Sequence, residues 1–146
     1  MPDEYEIRYV EKPDDPVWEV VGGGINEYNT RHAGAEGYQR LCYVLYAPDE
    51  SVGGGLVGAT FWDWFYIDLL FVKEELRRQG YGRQLLELAE AEASRRGARN
   101  AYLDTFSFQA PEFYTGQGYR VFGELPDFPR GYTRIFMTKA LATGIR

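Results

Sequence analysis

Between Leu69 and Leu86 the chain reads LLFVKEELRRQGYGRQLL: an apolar run, a charged turn, two closely spaced glycines and the start of a helix. Few arrangements accommodate that order. A strand that feeds a helix directly must return to its sheet by a parallel crossover, since only antiparallel neighbours are joined by short hairpins. The glycines carry a second consequence. A helix opened by Gly80 and Gly82 presents unpaired backbone N–H groups in one direction, and the positive end of the helix dipole reinforces them. Phosphate and pyrophosphate bind readily at such a point. Arg77, Arg78 and Arg83 crowd the same place and add full charges. The stretch therefore predicts a site for a polyphosphate-bearing cofactor.

The rest of the composition narrows the partners. At 146 residues the chain is expected to form one domain spanning 1–146, with a substantial core. Its net charge of −6 disfavours general nucleic-acid binding, which depends on neutralising phosphates, and suits cationic substrates. Cys42 is the only cysteine and His32 the only histidine, so neither an intrachain disulfide nor a thiolate metal cluster is expected. The opening MPDEYEIRYV is no secretory signal, and no apolar run approaches the ~20 residues of a membrane span. A cytoplasmic protein without membrane or nucleic-acid partners is the expectation.

Along the chain, Tyr5 to Val10 reads as a first strand, and Asp15 as an N-cap with Pro16 at the first helical position. Val17, Val20, Val21, Ile25 and Tyr28 follow at helical spacing as a buried stripe, interrupted by Gly22, Gly23 and Gly24. Asn29 to Gly37 is a polar loop carrying His32. Arg40–Tyr46, Val52–Trp62 and Trp64–Val72 are apolar runs with short joints, which predicts an antiparallel meander. A helix from about Gly82 to Arg96, with Leu85, Leu86, Ala89 and Ala93 on one side, ends at Gly97. A strand at Ala101–Thr105, a short helix near Ala110–Thr115 and two final strands, Tyr119–Leu125 and Arg134–Leu141, complete an α+β mixture.

The glycine element does not fit the familiar nucleotide folds. A Rossmann loop needs a third glycine where position 85 is Leu, and no Gly-Lys-Ser/Thr follows for a Walker loop. Instead Leu70-Phe71-Val72 followed by Arg77-Arg78-Gln79-Gly80-Tyr81-Gly82 resembles motif A of the GNAT superfamily of acetyl-CoA-dependent N-acetyltransferases, Arg/Gln-x-x-Gly-x-Gly/Ala after a hydrophobic strand. Ala110-Pro111-Glu112-Phe113-Tyr114 with Gly118-Tyr119 resembles motif B of the same family. Two matches in the right order and separation make a joint signal, and the element order is similar from about residue 5 to 141.

The resemblance implies a GNAT fold, a mixed and mainly antiparallel twisted sheet flanked by helices, and acetyl-CoA as cosubstrate with no metal. It also implies that two strands splay to admit the pantetheine arm of coenzyme A. Leu70 and Val72 would bond that arm through their backbone, and a strand N–H at Leu70 or Phe71 would face the thioester oxygen. The amides from Arg78 through Gln79, Gly80, Tyr81 and Gly82 to Arg83 would hold the pyrophosphate. Tyr114 matches the general acid that protonates the departing thiolate. Ser107 stands where many relatives place an Asn that holds pantetheine. The implied reaction is direct attack of a neutral amine through a tetrahedral intermediate. A non-catalytic acyl-CoA-binding or sensing module keeps the cofactor loop without needing the acid. Pairing of the final strands is a family route to a homodimer.

The amine end is read from residue chemistry. An alkylamine is mostly protonated at neutral pH, so a group must accept its proton. Asp68, expected on one strand face with Tyr66 and Leu70, and Asp104 on the neighbouring strand are the candidates. Trp62, Trp64, Tyr66, Phe106 and Phe108 gather near the ends of central strands, with Phe128 and Tyr132 in the late loop. Trp62, Trp64, Tyr66 and Phe106 are candidates for an aromatic wall around a small-molecule cationic amine.

Overall fold

The computed structural model describes residues 4–141. Contacts between residues divide the chain at Glu36 and Gly37 into two units.

The first unit is helical. Asp14 caps it, its carboxylate accepting the Val17 amide at 3.3 Å, with Asp15 and Pro16 in the first turn. The cap thus lies one residue before the expected Asp15. Helix α1 (Asp15–Val17) runs through a π turn (Trp18–Gly22) into α2 (Gly23–Ala33). The glycine run coincides with the widened turn, where the Gly23 amide reaches back to the Trp18 carbonyl.

Further expectations fail in this unit. Residues 5–10 form no strand. Their alternation is strand-like, but the unit contains no sheet to pair them, and an unpaired strand has no stability of its own. The stripe of Val17, Val20, Val21, Ile25 and Tyr28 is exposed rather than buried, because no second element of the unit faces it. The expected loop from Asn29 is helical as far as Ala33. His32 sits in that last turn, stacked on Tyr28 at 4.2 Å, with its Nδ1 2.9 Å from the Tyr28 carbonyl oxygen.

The second unit is built on a six-stranded sheet. Strands β1 (Gln39–Tyr46), β2 (Val52–Phe61) and β3 (Trp64–Val72) form the expected antiparallel meander. The β2–β3 joint is Trp62-Asp63, both at positive φ (46° and 63°), the backbone form that matches strand twist in a two-residue hairpin. Helix α3 (Tyr81–Arg95) crosses to β4 (Asn100–Phe106), which lies parallel to β3. Helix α4 (Pro111–Gly116) precedes β5 (Arg120–Pro126) and β6 (Thr133–Ala140), and the sheet order is β1-β2-β3-β4-β6-β5.

Helix α3 anchors the core. Leu85, Leu86, Ala89 and Ala93 are its buried stripe, packed with Leu41, Leu56, Phe65, Leu103 and Met137 of the sheet. It ends as expected: Gly97, at φ 97°, lets the Gly97 and Ala98 amides bond back to Ser94 and Ala93 at 2.9 Å each. Arg96 ties that end to the sheet, donating to Glu92 at 2.9 Å and to the Gln39 carbonyl and Thr60 Oγ1 at 3.1 Å.

Two irregularities of β3 shape everything near the site. First, Val57 pairs with Leu69 but Gly58 with Ile67, so Asp68 is an extra residue, a bulge. Phe65 and Ile67 point into the core before it, whereas Leu70 and Val72 pack against that core after it. The alternation changes phase at Asp68, so Tyr66 and Leu70 do not share a face as an unbroken period of two would require. Second, β3 pairs with β4 only from Trp64–Asn100 to Tyr66–Tyr102, after which the strands part.

Gly58 stands opposite the bulge, and a Cβ there would run into the Tyr66 carbonyl oxygen and the Phe65 ring. Gly58→Ala is expected to lower stability by about 2–3 kcal/mol through this overpacking, measured as a reduced midpoint in denaturant unfolding.

Candidate active site

Where β3 and β4 part, the sheet opens into a cleft of about 1100 Å³. Its walls come from β3 beyond Tyr66, from β4 beyond Leu103, from the start of α3 and from α4, with Arg134 of β6 behind.

One end is a set of unanswered donors. Gly80, at φ 86°, is the N-cap of α3 and offers no side-chain cap. The first backbone bond of the helix is Gln84 N–H to the Gly80 carbonyl, at 3.0 Å. Each amide from Arg78 to Arg83 therefore lacks an acceptor among the described residues. Arg77 is fixed alongside, its Nε donating to the Val72 carbonyl at 2.8 Å while the guanidinium lies 5.3 Å from the Phe71 ring. Glu87 takes the charge of Arg83 at 3.3 Å, but Arg77 and Arg78 have no carboxylate partner among the described residues. Arg78 is itself held at φ 65°, unusual for a side chain of this size. Donors, dipole and uncompensated cations suit the diphosphate of coenzyme A.

Tyr114 on α4 lines the cleft as well. Edge-to-face contacts with Phe113 (5.1 Å) and Tyr119 (6.0 Å) hold its ring. Tyr119 is locked in turn, its hydroxyl donating to Glu90 at 2.7 Å while Lys139 bonds the other oxygen of that carboxylate at 2.9 Å. The Tyr114 hydroxyl makes no hydrogen bond to a described residue. Burial pushes its pKa above the ordinary 10, so it carries its proton throughout the neutral range.

The far end is acidic and aromatic. Asp68, on the bulge, has no ion pair or hydrogen bond to its carboxylate among the described residues, whereas Asp104 accepts Arg134 Nε at 2.9 Å. Tyr66 stacks on Tyr102 at 4.9 Å, and its pKa is raised by burial first and then by the charges of Asp68 and Asp104.

Of the residues singled out from sequence, the cleft brings together Tyr114, Asp68, Asp104, Tyr66, Phe106, Leu70, Phe71, Val72, Arg77, Arg78, Gly80, Tyr81, Gly82 and Arg83. Four do not line it. Gln79 lies in the same loop, and Ser107 is committed to β6, its Oγ accepting the Thr133 amide at 3.0 Å. Trp62 and Trp64 sit at the hairpin end of β3, Trp64 being eight residues or about 26 Å along the strand from Val72. Sequence reasoning missed Arg134, Gln109 and Phe113. Arg134 and Asp104 are diagonal across the β4–β6 ladder, because Asp104 pairs with Phe136 and Phe106 with Arg134. That register was the missing signal. Gln109 orders the loop together with Ser107, its Oε1 accepting from Thr105 Oγ1 at 2.9 Å and from the Phe106 amide at 2.8 Å.

Comparison with known proteins agrees with this geometry. A profile of the acetyltransferase (GNAT) domain matches residues 38–121. The chain is 40% identical over 102 residues, 68% of its length, to the blasticidin-S acetyltransferase of Streptomyces morookaense, covering 75% of that protein. An acetyltransferase from Bacillus cereus ATCC 14579 superposes with a TM-score of 0.84 at 33% identity, over 92% of this chain and 98% of that one. An aminoglycoside 6′-N-acetyltransferase crystallised with coenzyme A shares the fold at 19% identity, with a TM-score of 0.62 over 69% and 72% of the two chains. The chain belongs to the GNAT superfamily and is an acyltransferase enzyme. No helix among the described residues is long and apolar enough to cross a membrane.

The raised tyrosine pKa values have a measurable consequence. Tyr114 and Tyr119 stay neutral in the folded protein at pH values where unfolded tyrosines, with pKa about 10, ionise. Their contribution to stability is fully present below pH 10 and is lost as the pH rises toward the folded values. Alkaline titration followed by phenolate absorbance should show a late component in the folded protein that Tyr114→Phe diminishes, alongside a falling melting temperature above pH 10.

Proposed function

We propose that the protein transfers the acetyl group of acetyl-CoA to a primary amine of a small molecule, by direct attack of the neutral amine. One observation carries this reading: a single cleft is lined by the α3 start with its free amides, by Tyr114 and by both Asp68 and Asp104. An anion site, a proton donor and a cation-attracting end in one cleft are the parts that an acyl-CoA and an amine require.

Acetyl-CoA supplies the acetyl group as a thioester. The amides from Arg78 to Arg83, with Arg77 and Arg78, hold its diphosphate, locally offsetting the repulsion of an acidic protein. The edge of β3 left unpaired by the splay, at Leu70, Phe71 and Val72, takes the amide groups of the pantetheine arm. A fixed N–H there also stabilises the thioester oxygen as it gains charge. Tyr114 keeps its proton at neutral pH and donates it to the sulfur as thiolate character develops. Asp68 attracts the ammonium form and accepts the proton that the amine must lose. Asp104 is held by Arg134 and shapes the same end. A concave site lined by aromatics suits a small acceptor, and a relative named for blasticidin-S supports that class. The reading fits a cytoplasmic enzyme drawing on the acetyl-CoA made there.

Tyr114→Phe is expected to lower kcat by about 100-fold while leaving the calorimetric Kd for acetyl-CoA within about twofold of wild type. Unchanged turnover at saturating substrate removes the acid role. Asp68→Asn should lower kcat/KM for the amine by about tenfold while leaving the Kd for acetyl-CoA unchanged. Binding of acetyl-CoA with no thiol release for any amine would identify a sensing module instead.

A further inference from the structure

Beside the acceptor end of the cleft stand four aromatic rings, one from the end of a strand and three from two loops. Phe106 and Phe108 bracket the end of β4, and Phe128 and Tyr132 lie between β5 and β6. Phe106 and Phe108 are parallel at 5.3 Å, Phe108 meets Tyr132 edge-on at 5.0 Å, and Phe106 meets Phe128 at 6.1 Å. Such contacts usually hold rings inside a core, yet Phe108, Phe128 and Tyr132 are 53%, 41% and 48% exposed. Exposing that much ring surface costs solvation free energy, so a contiguous exposed cluster marks a binding surface. The cluster is continuous with the cleft, because Phe106 and Phe108 line both.

The arrangement is rigid. The Arg134 guanidinium lies 5.6 Å from the Phe106 ring and 4.9 Å from that of Phe128, while its Nε holds Asp104 at 2.9 Å. Ser107 and Thr133 join the two loops by two hydrogen bonds, of 2.8 and 3.0 Å. The charges also sort themselves. Arg134 neutralises Asp104, which leaves Asp68 as the uncompensated charge at this end.

We infer that the acceptor is an amine carried on a planar unsaturated ring: the ring stacks on the cluster of Phe106, Phe108, Phe128 and Tyr132, and the ammonium group faces Asp68. This rests on the acetyltransferase reading for the role of the amine, but the ring site stands on its own geometry. A planar ring gains offset-stacked and edge-on contacts that a puckered ring of the same size cannot make.

The test compares 2-phenylethylamine with 2-cyclohexylethylamine, which share chain length and charge but differ in ring planarity. Binding is measured by calorimetry and by saturation-transfer NMR on the intact protein. Wild type should prefer the planar amine by about tenfold. Phe108→Leu combined with Tyr132→Leu should bring that ratio near one, with folding checked by circular dichroism. In wild type the planar amine should shift the ring-proton resonances of Phe108 and Tyr132, a readout that needs no variant. 2-Phenylethanol, lacking the charge, should bind about tenfold more weakly than 2-phenylethylamine, a difference that Asp68→Asn removes. Equal affinity for the two rings, a preference that survives the double substitution, or no binding at all overturns the inference. Ring-selective binding without acetyl transfer from acetyl-CoA would uphold it and strike down the proposed reaction instead.

Discussion

The pairing of β3 with β4 stops after Tyr66 and Tyr102, and the geometry of the site follows from that interruption. A parallel pair that continued would satisfy the backbone of Ile67 to Val72 within the sheet and leave no room between the strands. The Asp68 bulge helps to end it by adding a residue to one strand and changing its bend. Gly58 makes the bulge possible on the other side, since any larger residue would press on the Tyr66 backbone. A local irregularity worth one residue thus creates a cleft in the middle of a sheet.

The same interruption explains why the functional groups come from distant parts of the sequence yet act at one place. The charged turn after β3 cannot continue along β4, so it enters α3 through Gly80, and the helix start turns its amides into the gap. Helix α4 comes from the other lip and carries Tyr114, braced by Tyr119, Glu90 and Lys139. The buried stripe of α3, two leucines and two alanines, allows that helix to sit close to the sheet and fixes where its first turn points.

Much of this was legible in the residues. The 2-to-3.6 change of period between Val72 and Leu86 located the crossover, and Gly97 located the helix end, because both rest on local backbone chemistry. The meander was legible for the same reason. What local reading could not supply was phase and register. The bulge at Asp68 inverts the face of every later β3 residue, and nothing in LLFV signals it. The Arg134–Asp104 pair depends on a ladder between strands some thirty residues apart. At the amino-terminal side, alternation in 5–10 suggested a strand and helical spacing in 17–28 a buried stripe, but amphipathic pattern specifies a face and not what covers it. The cap at Asp14 rather than Asp15 reflects two adjacent acids that can each serve, with the backbone selecting the one preceding the first helical turn.

The stitch between Ser107 and Thr133 has a wider implication. By fastening the segment after β4 to the segment before β6, it makes two sequence-distant loops a single mechanical plate. Variation in either loop is then transmitted to the other, while the glycine-opened helix start, tethered through β3 instead, is spared. A lineage could retune one lip of the crevice repeatedly and keep its thioester donor throughout.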